Sequence, residues 1–289
     1  MPAALREYVL AHKGLELAVV EYGPAEGEPV LALHGWCDNA ASFAPLAACF
    51  PEYRWIAPDF PGHGKSAHRH LQASYSIWTY LDEILALLDH LQLKSISVAG
   101  HSMGGAVGCL LAAVYPEYCA RLVLLDTVGP LATEPVDAVQ QLRTSFDQLR
   151  TRKLSWRHYY TDVAAAVRAR SQQGRSTAAA LLLAELGVVS DEQGCYWRLD
   201  TRLRMRNPLS FTEAHAKELL GSIDCPVLLV AAPTFWRDNM AWFHLRQSYF
   251  RQLEKHMLNG SHHQHMEAET AVVASFVRAF FARTCFTRT

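Results

Sequence analysis

The sequence contains no long, apolar, uncharged run. None of its hydrophobic stretches approaches the roughly 18 residues that a membrane-spanning helix needs, so no transmembrane segment is expected. The opening stretch, MPAALREYVLAHKG, has charges inside any would-be apolar segment, which argues against a secretory leader. Cysteine shows no pairing pattern: there are seven, an odd number, with no C-x-x-C spacing. That usage argues against a disulfide framework and suits reduced thiols in a cytoplasmic protein. A dominant charge sign is also missing. The formal net charge is −1, so no global field points to nucleic acid or to an anionic membrane surface as a partner. There is no internal repeat and no low-complexity tract.

Apolar sequence is plentiful. Half of the 289 residues are hydrophobic, enough for one large α/β domain. LELAVVEYG (15–23), PVLALHG (29–35), KSISVAG (94–100), CARLVLLDTVGP (119–130) and CPVLLVAAP (225–233) read as strands. RWIAPDFPGHGKS (54–66) reads as a strand running into a Gly/Pro turn. Between these lie SFAPLAACF (42–50) and YSIWTYLDEILALLDHL (75–91), which read as helices. In the second, Ile77, Leu81, Ile84, Leu85 and Leu88 recur at helical spacing. MGGAVGCLLAAV reads as a helix ending before Pro116, and TAVVASFVRAFFA (270–282) as a closing one. Alternating strands and helices imply a mostly parallel sheet with helices on both faces.

The alternation stops at Pro130. Residues 131–208 read as helical and polar, without a strand. Twelve Lys/Arg against eight Asp/Glu make this segment net +4, while the remainder is net −5. The architecture expected is a core of 1–130 and 209–289 with a helical cap, 131–208, inserted between. An insertion after a strand's carboxyl end overhangs the rim where open sheets bind ligands. Arg198, Arg202, Arg204 and Arg206 crowd beside Tyr196 and Trp197. The sharper expectation for them is that one or two face the cleft and attract an anionic group; the plainer one is that they are solvated or packed.

The stretch VAGHSMGG (98–105) sets Ser102 between Gly100 and Gly104 where a strand turns into a helix. This G-x-S-x-G elbow lifts a serine hydroxyl clear of a sheet. A serine needs a base, and the base needs an orienting carboxylate, in the chain order serine, acid, histidine. LNGSHHQHMEAE (258–269) offers His262, His263 and His265. His262 is preferred because it follows the small turn GS. A zinc site is the rival reading of this cluster. It lacks a second ligand group and helical H-E-x-x-H spacing, so no metal and no cofactor are expected. For the acid, Asp126 at a strand's carboxyl end is preferred, and Asp238 is the competitor; Asp224 lies at the wrong end of its strand. Oxyanion donors are expected from the N–H groups of Met103 and Trp36. Asp59 and Cys37 read as structural.

HGWCDNAASF, DFPGHGKS, GHSMGG and GSHHQHMEAE stand in the order and spacing of the α/β-hydrolase superfamily. With the phrase YWRLDTRLRMRNPLSFTE, the chain most resembles the Kraken or serine hydrolase-like group. The resemblance covers nearly the whole chain. It implies an α/β-hydrolase fold with Ser102 as nucleophile, His262 as base, and Trp36 and Met103 as oxyanion donors. Asp126 matches members that place the acid after the strand following the elbow helix. The chain departs from the family after PVLLVAA, where many members carry a Gly-x-x-Asp turn. The function implied is hydrolysis of a carboxylic ester or thioester of a small-molecule or acyl substrate. The alternative is a non-catalytic binding or sensing protein on the same fold.

Overall fold

Strict alternation along the buried strands gives the central sheet two apolar faces. Leu31, Leu33, Val98, Leu122, Leu124 and Leu229 point to one core. Their neighbours Val30, Ala32, Ala99, Val123, Leu125 and Leu228 point to the other. The computed structural model describes residues 6–133, 137–151 and 157–283. Its strands are β1 (Arg6–His12), β2 (Leu15–Tyr22), β3 (Glu28–Leu33), β4 (Tyr53–Pro58), β5 (Ile96–His101), β6 (Cys119–Leu125), β7 (Val188–Asp191), β8 (Gly194–Trp197), β9 (Val227–Ala231) and β10 (Leu253–Met257). Eight of them form one sheet in the order β1-β2-β4-β3-β5-β6-β9-β10. The β1–β2 and β2–β4 pairs are antiparallel and every other pair in this sheet is parallel.

The helices are α1 (Ala44–Ala48), α2 (Tyr80–His90), α3 (Met103–Val114), α4 (Ala138–Thr151), α5 (Val163–Ser171), α6 (Thr177–Gly187), α7 (Glu213–Gly221), α8 (Pro233–Trp236), α9 (Met240–Gln247) and α10 (Thr270–Arg283). Ile84 of α2, Val107 of α3, Leu220 of α7 and Phe243 of α9 fill the first core. Leu46 of α1, Leu183 of α6 and Val277 of α10 fill the second. Among the described residues no helix is long and apolar enough to cross a membrane.

The strand-free reading of 131–208 needs correction. β7 and β8 form an antiparallel hairpin, with Val188 opposite Trp197 and Asp191 opposite Gly194. The signal was local: VVS and CYW are β-branched and aromatic, and Gly194, at φ 127°, closes the turn as few other residues can. The rest of this segment is tied to loops beyond the carboxyl ends of the core strands. Asn39 Nδ2 donates to the Leu183 carbonyl at 2.8 Å, and Asp200 N to the Gly62 carbonyl at 2.9 Å. Ser176 N donates to Glu267 at 2.6 Å.

The start of α3 lies against β3. A Cβ added at Gly104 would run into the Leu33 carbonyl group and approach that of His34. Backbone cannot yield as a side chain can, so α3 would have to move. Gly104→Ala should therefore destabilise the fold by about 1–3 kcal/mol or more, the scale of an overpacked core. Urea denaturation of the variant against the parent measures it; an unchanged midpoint would refute the close-approach argument.

Candidate active site

Three non-glycine residues at the carboxyl rim of the sheet have positive φ: Cys37 (62°), Ser102 (49°) and Asp126 (54°). Such backbone is strained for L-residues and is characteristic of functional sites. Ser102 sits between β5 and α3. Its N–H donates to the Leu125 carbonyl at 3.0 Å, and its own carbonyl accepts from Ala106 N at 3.1 Å. The side chain makes no capping bond to α3, so its hydroxyl is not taken up by the helix it precedes. Met103 is the first residue of α3, where backbone N–H groups have no intrahelical acceptor.

Asp126 follows β6 and is 1% exposed. Its Oδ2 faces His262 Nδ1 at 2.5 Å. Its Oδ1 accepts from Ala232 N at 2.9 Å and from Trp236 Nε1 at 2.8 Å. The turn after β9, PTFW, has no carboxylate; here it supplies hydrogen-bond donors to the carboxylate on the neighbouring strand. Asp238 is exposed, in the single turn Arg237–Asn239, and Asp224 is exposed and paired with Arg251. Of the acids weighed from sequence, Asp126 is the one brought to His262. The His262 ring also stacks on Phe235, with centroids 3.9 Å apart and planes at 20°.

Ser102, Met103, Asp126 and Trp36 line one cavity of about 470 Å³. Its other walls are largely apolar, with Trp78, Leu131, Leu209, Phe211, Phe235 and Trp242 among them. This size and character suit a small-molecule site. None of Arg198, Arg202, Arg204 and Arg206 lines it, which corrects the sharper expectation for these residues. Arg202 is buried against Asp200 at 2.6 Å and donates to the His70 carbonyl at 2.8 Å. Arg198 and Arg206 are exposed. Arg204 lines a separate cavity of about 100 Å³ together with Arg170 and Trp197. A buried guanidinium needs a local partner, and Asp200 takes Arg202 out of reach of the cleft.

Asp59 is fully buried and accepts from Ala40 N and Lys65 N, both at 2.7 Å, in keeping with a structural part. Burial pushes its carboxyl above the ordinary range. Burial likewise pushes the Cys37 thiol up, so little of it is thiolate near neutral pH. Six described cysteines are free thiols. No three His, Cys, Asp or Glu side chains are grouped to hold a metal ion among the described residues.

A buried polar cluster, not marked by any motif, lies behind His262. Asp38, His101, His263 and His265 are each at most 4% exposed. Burial, reinforced by His101, pushes His263 down to about 2. Burial holds His265 well below its ordinary range as well. His63, on the other side of the Trp36 loop, is pushed to about 3 by burial and then by His34. The only clue in the sequence was HHQH itself, too many histidines in four residues for a single base.

The chain matches the α/β hydrolase fold family over residues 28–186. It is 30% identical over 284 residues to a serine hydrolase-like protein of Danio rerio, covering 91% of this chain and 85% of the relative. A serine hydrolase-like protein of Dictyostelium discoideum is 31% identical over 287 residues, covering 93% and 79%. Among solved structures, a hypothetical protein from Pseudomonas aeruginosa PAO1 superposes with a TM-score of 0.91 at 38% identity, covering 96% of this chain and 100% of that one. The thioesterase domain from the curacin biosynthetic pathway gives a TM-score of 0.82 at 27% identity, covering 94% and 99%. The chain therefore belongs to the α/β-hydrolase family, within its serine hydrolase-like group.

The buried neutral histidines set a pH dependence of stability. Unfolded imidazole takes up a proton near 6.5, whereas folded His63 and His263 resist until about 3 and about 2. Below about pH 6.5 the unfolded state binds more protons, so stability falls with pH by up to about 1.4 kcal/mol per unit for each such group. Unfolding free energy from urea melts should be lower at pH 5.5 than at pH 7, and His63→Phe should shrink the difference. A flat profile between these values would contradict the burial of neutral imidazoles.

Proposed function

We propose that this protein is a serine hydrolase that cleaves a carboxylic ester or thioester bearing a neutral, apolar acyl group. The observation that carries this reading is the buried Asp126 carboxylate held against His262 Nδ1 at 2.5 Å, beside the cavity that Ser102 lines. With Nδ1–H donated to Asp126, the other ring nitrogen, Nε2, is free to act as base. Ser102 Oγ attacks the acyl carbon while His262 takes its proton. The developing oxyanion is met by the N–H groups of Met103 and Trp36. His262 then gives the proton to the leaving alcohol or thiol, and water repeats the sequence on the acyl-enzyme. Residues 131–208 act as the cap over this rim. The likeness to the thioesterase domain from the curacin biosynthetic pathway, at 27% identity, supports the thioester arm.

Two measurements test the assignment. A fluorophosphonate probe should label the parent and not Ser102→Ala, whose turnover should fall by about 10⁶. Asp126→Asn should lose about 10⁴ in kcat, the effect of depriving a base of its orienting carboxylate, while Asp238→Asn should lose little. A protein that binds esters but neither labels nor turns over would be a non-catalytic member of the family.

A mostly aromatic and aliphatic cavity wall, without any of the four clustered cap arginines, supports a neutral acyl group. An acyl carboxylate there would be desolvated without a partner. For matched p-nitrophenyl esters, kcat/KM should favour the neutral acyl group by at least about tenfold at both low and high salt. Preference for the anionic ester, fading with salt, would instead place a cation in the cleft.

A further inference from the structure

Asp38 lies in the loop after β3 and is 1% exposed. A carboxylate so deeply buried needs compensation, and here it comes from the arginines of α5 and of the turn after it, while Oδ2 has no hydrogen-bond partner. Arg175, between α5 and α6, donates to Oδ1 through Nη2 at 2.9 Å. Arg170, on α5, brings its Nη2 within 3.7 Å of the same oxygen and donates to the Cys37 carbonyl. On the other side, Oδ2 faces His101 Nδ1 at 3.5 Å and His263 Nε2 at 3.8 Å. Burial alone would raise the Asp38 carboxyl, but the His101 ring and the Arg175 guanidinium outweigh it and hold it well below the usual range. It is therefore a fixed negative charge.

His101 makes this charge matter for the site. It immediately precedes Ser102, and its other nitrogen, Nε2, donates to the His262 carbonyl at 2.8 Å. One imidazole thus bridges the elbow and the loop that carries His262. That bond uses the ring's N–H, so Nδ1 meets Asp38 Oδ2 at 3.5 Å as a packing contact without a hydrogen bond. Space for that approach exists because residue 35 is glycine: a Cβ there would lie 2.5 Å from His101 Nδ1 and 3.0 Å from Asp38 Oδ2.

We propose that Asp38 is a positioning residue that couples the docking of α5 and α6 to the placement of His262. Its carboxylate holds Arg170 and Arg175 on one side and packs against the His101 and His263 rings on the other. When α5 and the turn after it are seated, both guanidiniums compensate Asp38, and His101 is held where it fixes the His262 backbone. When they lift away, the carboxylate loses its cations, and the His101 ring and the His263 loop lose a fixed reference. This rests on the reading of His262 as the base, but the tie between the two segments does not.

The test uses Asp38→Asn, which keeps the shape and removes the charge, and Arg175→Gln, which withdraws one guanidinium and leaves Asp38 in place. Ester turnover is assayed well below each variant's melting temperature, and amide hydrogen exchange is followed over residues 163–187 and 259–267. For Asp38→Asn, kcat should fall roughly 10- to 100-fold with KM nearly unchanged, the scale of a small misplacement of a catalytic group. Both segments should lose protection together, and Arg175→Gln should show the same pattern more weakly. If Asp38→Asn does not fold, Arg175→Gln decides by the same criteria. Wild-type kcat, a change in KM alone, a lowered melting temperature with kcat intact, or lost protection confined to one segment would each overturn the proposal. If Ser102→Ala retains turnover, the reading of the triad fails, while the exchange arm still decides whether Asp38 ties the two segments.

Discussion

One buried carboxylate organises the rim of the sheet. Asp126 is almost wholly buried, so its lone pairs depend on donors inside the protein. Its backbone N–H is tied to the Val230 carbonyl at 2.8 Å, and its side chain accepts from Ala232, Trp236 and His262. The ends of β6 and β9, the short helix α8 and the His262 loop therefore meet at a single group. Each element has its place because the carboxylate cannot be left unsatisfied. The missing acid after β9 follows from the same constraint: with the carboxylate on β6, the turn beyond β9 provides N–H groups.

Much of this was legible in the sequence because it rests on short-range patterns. Buried β-branched runs marked the central strands, and G-H-S-M-G marked the turn at Ser102. Chain order and the small turn before His262 pointed to the His262–Asp126 pairing. β1 and β10 escaped notice because edge strands carry charge and lack continuous apolar runs: REYVLAH and LEKHM read as polar. The hairpin β7–β8 was obscured by the helical stretches around it. Apart from the run HHQH, nothing in the sequence pointed to the cluster around Asp38. It joins residues 38, 101, 170, 175 and 263, and no local spacing carries such a contact.

The arginine-rich segment illustrates how charge is consumed in folding. Its net positive composition was compatible with an anion-seeking cleft and with arginines solvated or packed against the core. Arg202 is held by Asp200, and Arg170 and Arg175 share Asp38. These pairs fasten the segment to the core loops, and the wall left facing Ser102 is apolar. Composition counts charges without showing which are spent internally; only the three-dimensional pairing separates fastening from recognition.

The two borders of the sheet have a consequence for how this protein can meet a copy of itself. β10 carries Glu254, Lys255 and His256, and Arg283 of α10 reaches across to Glu254 at 2.5 Å. At the far border β1 presents Arg6 and Glu7, and Lys65 bonds to Glu7 at 2.6 Å. Charged side chains along an open strand discourage a foreign strand from adding to it. The sheet is thus a poor template for lateral growth by strand addition.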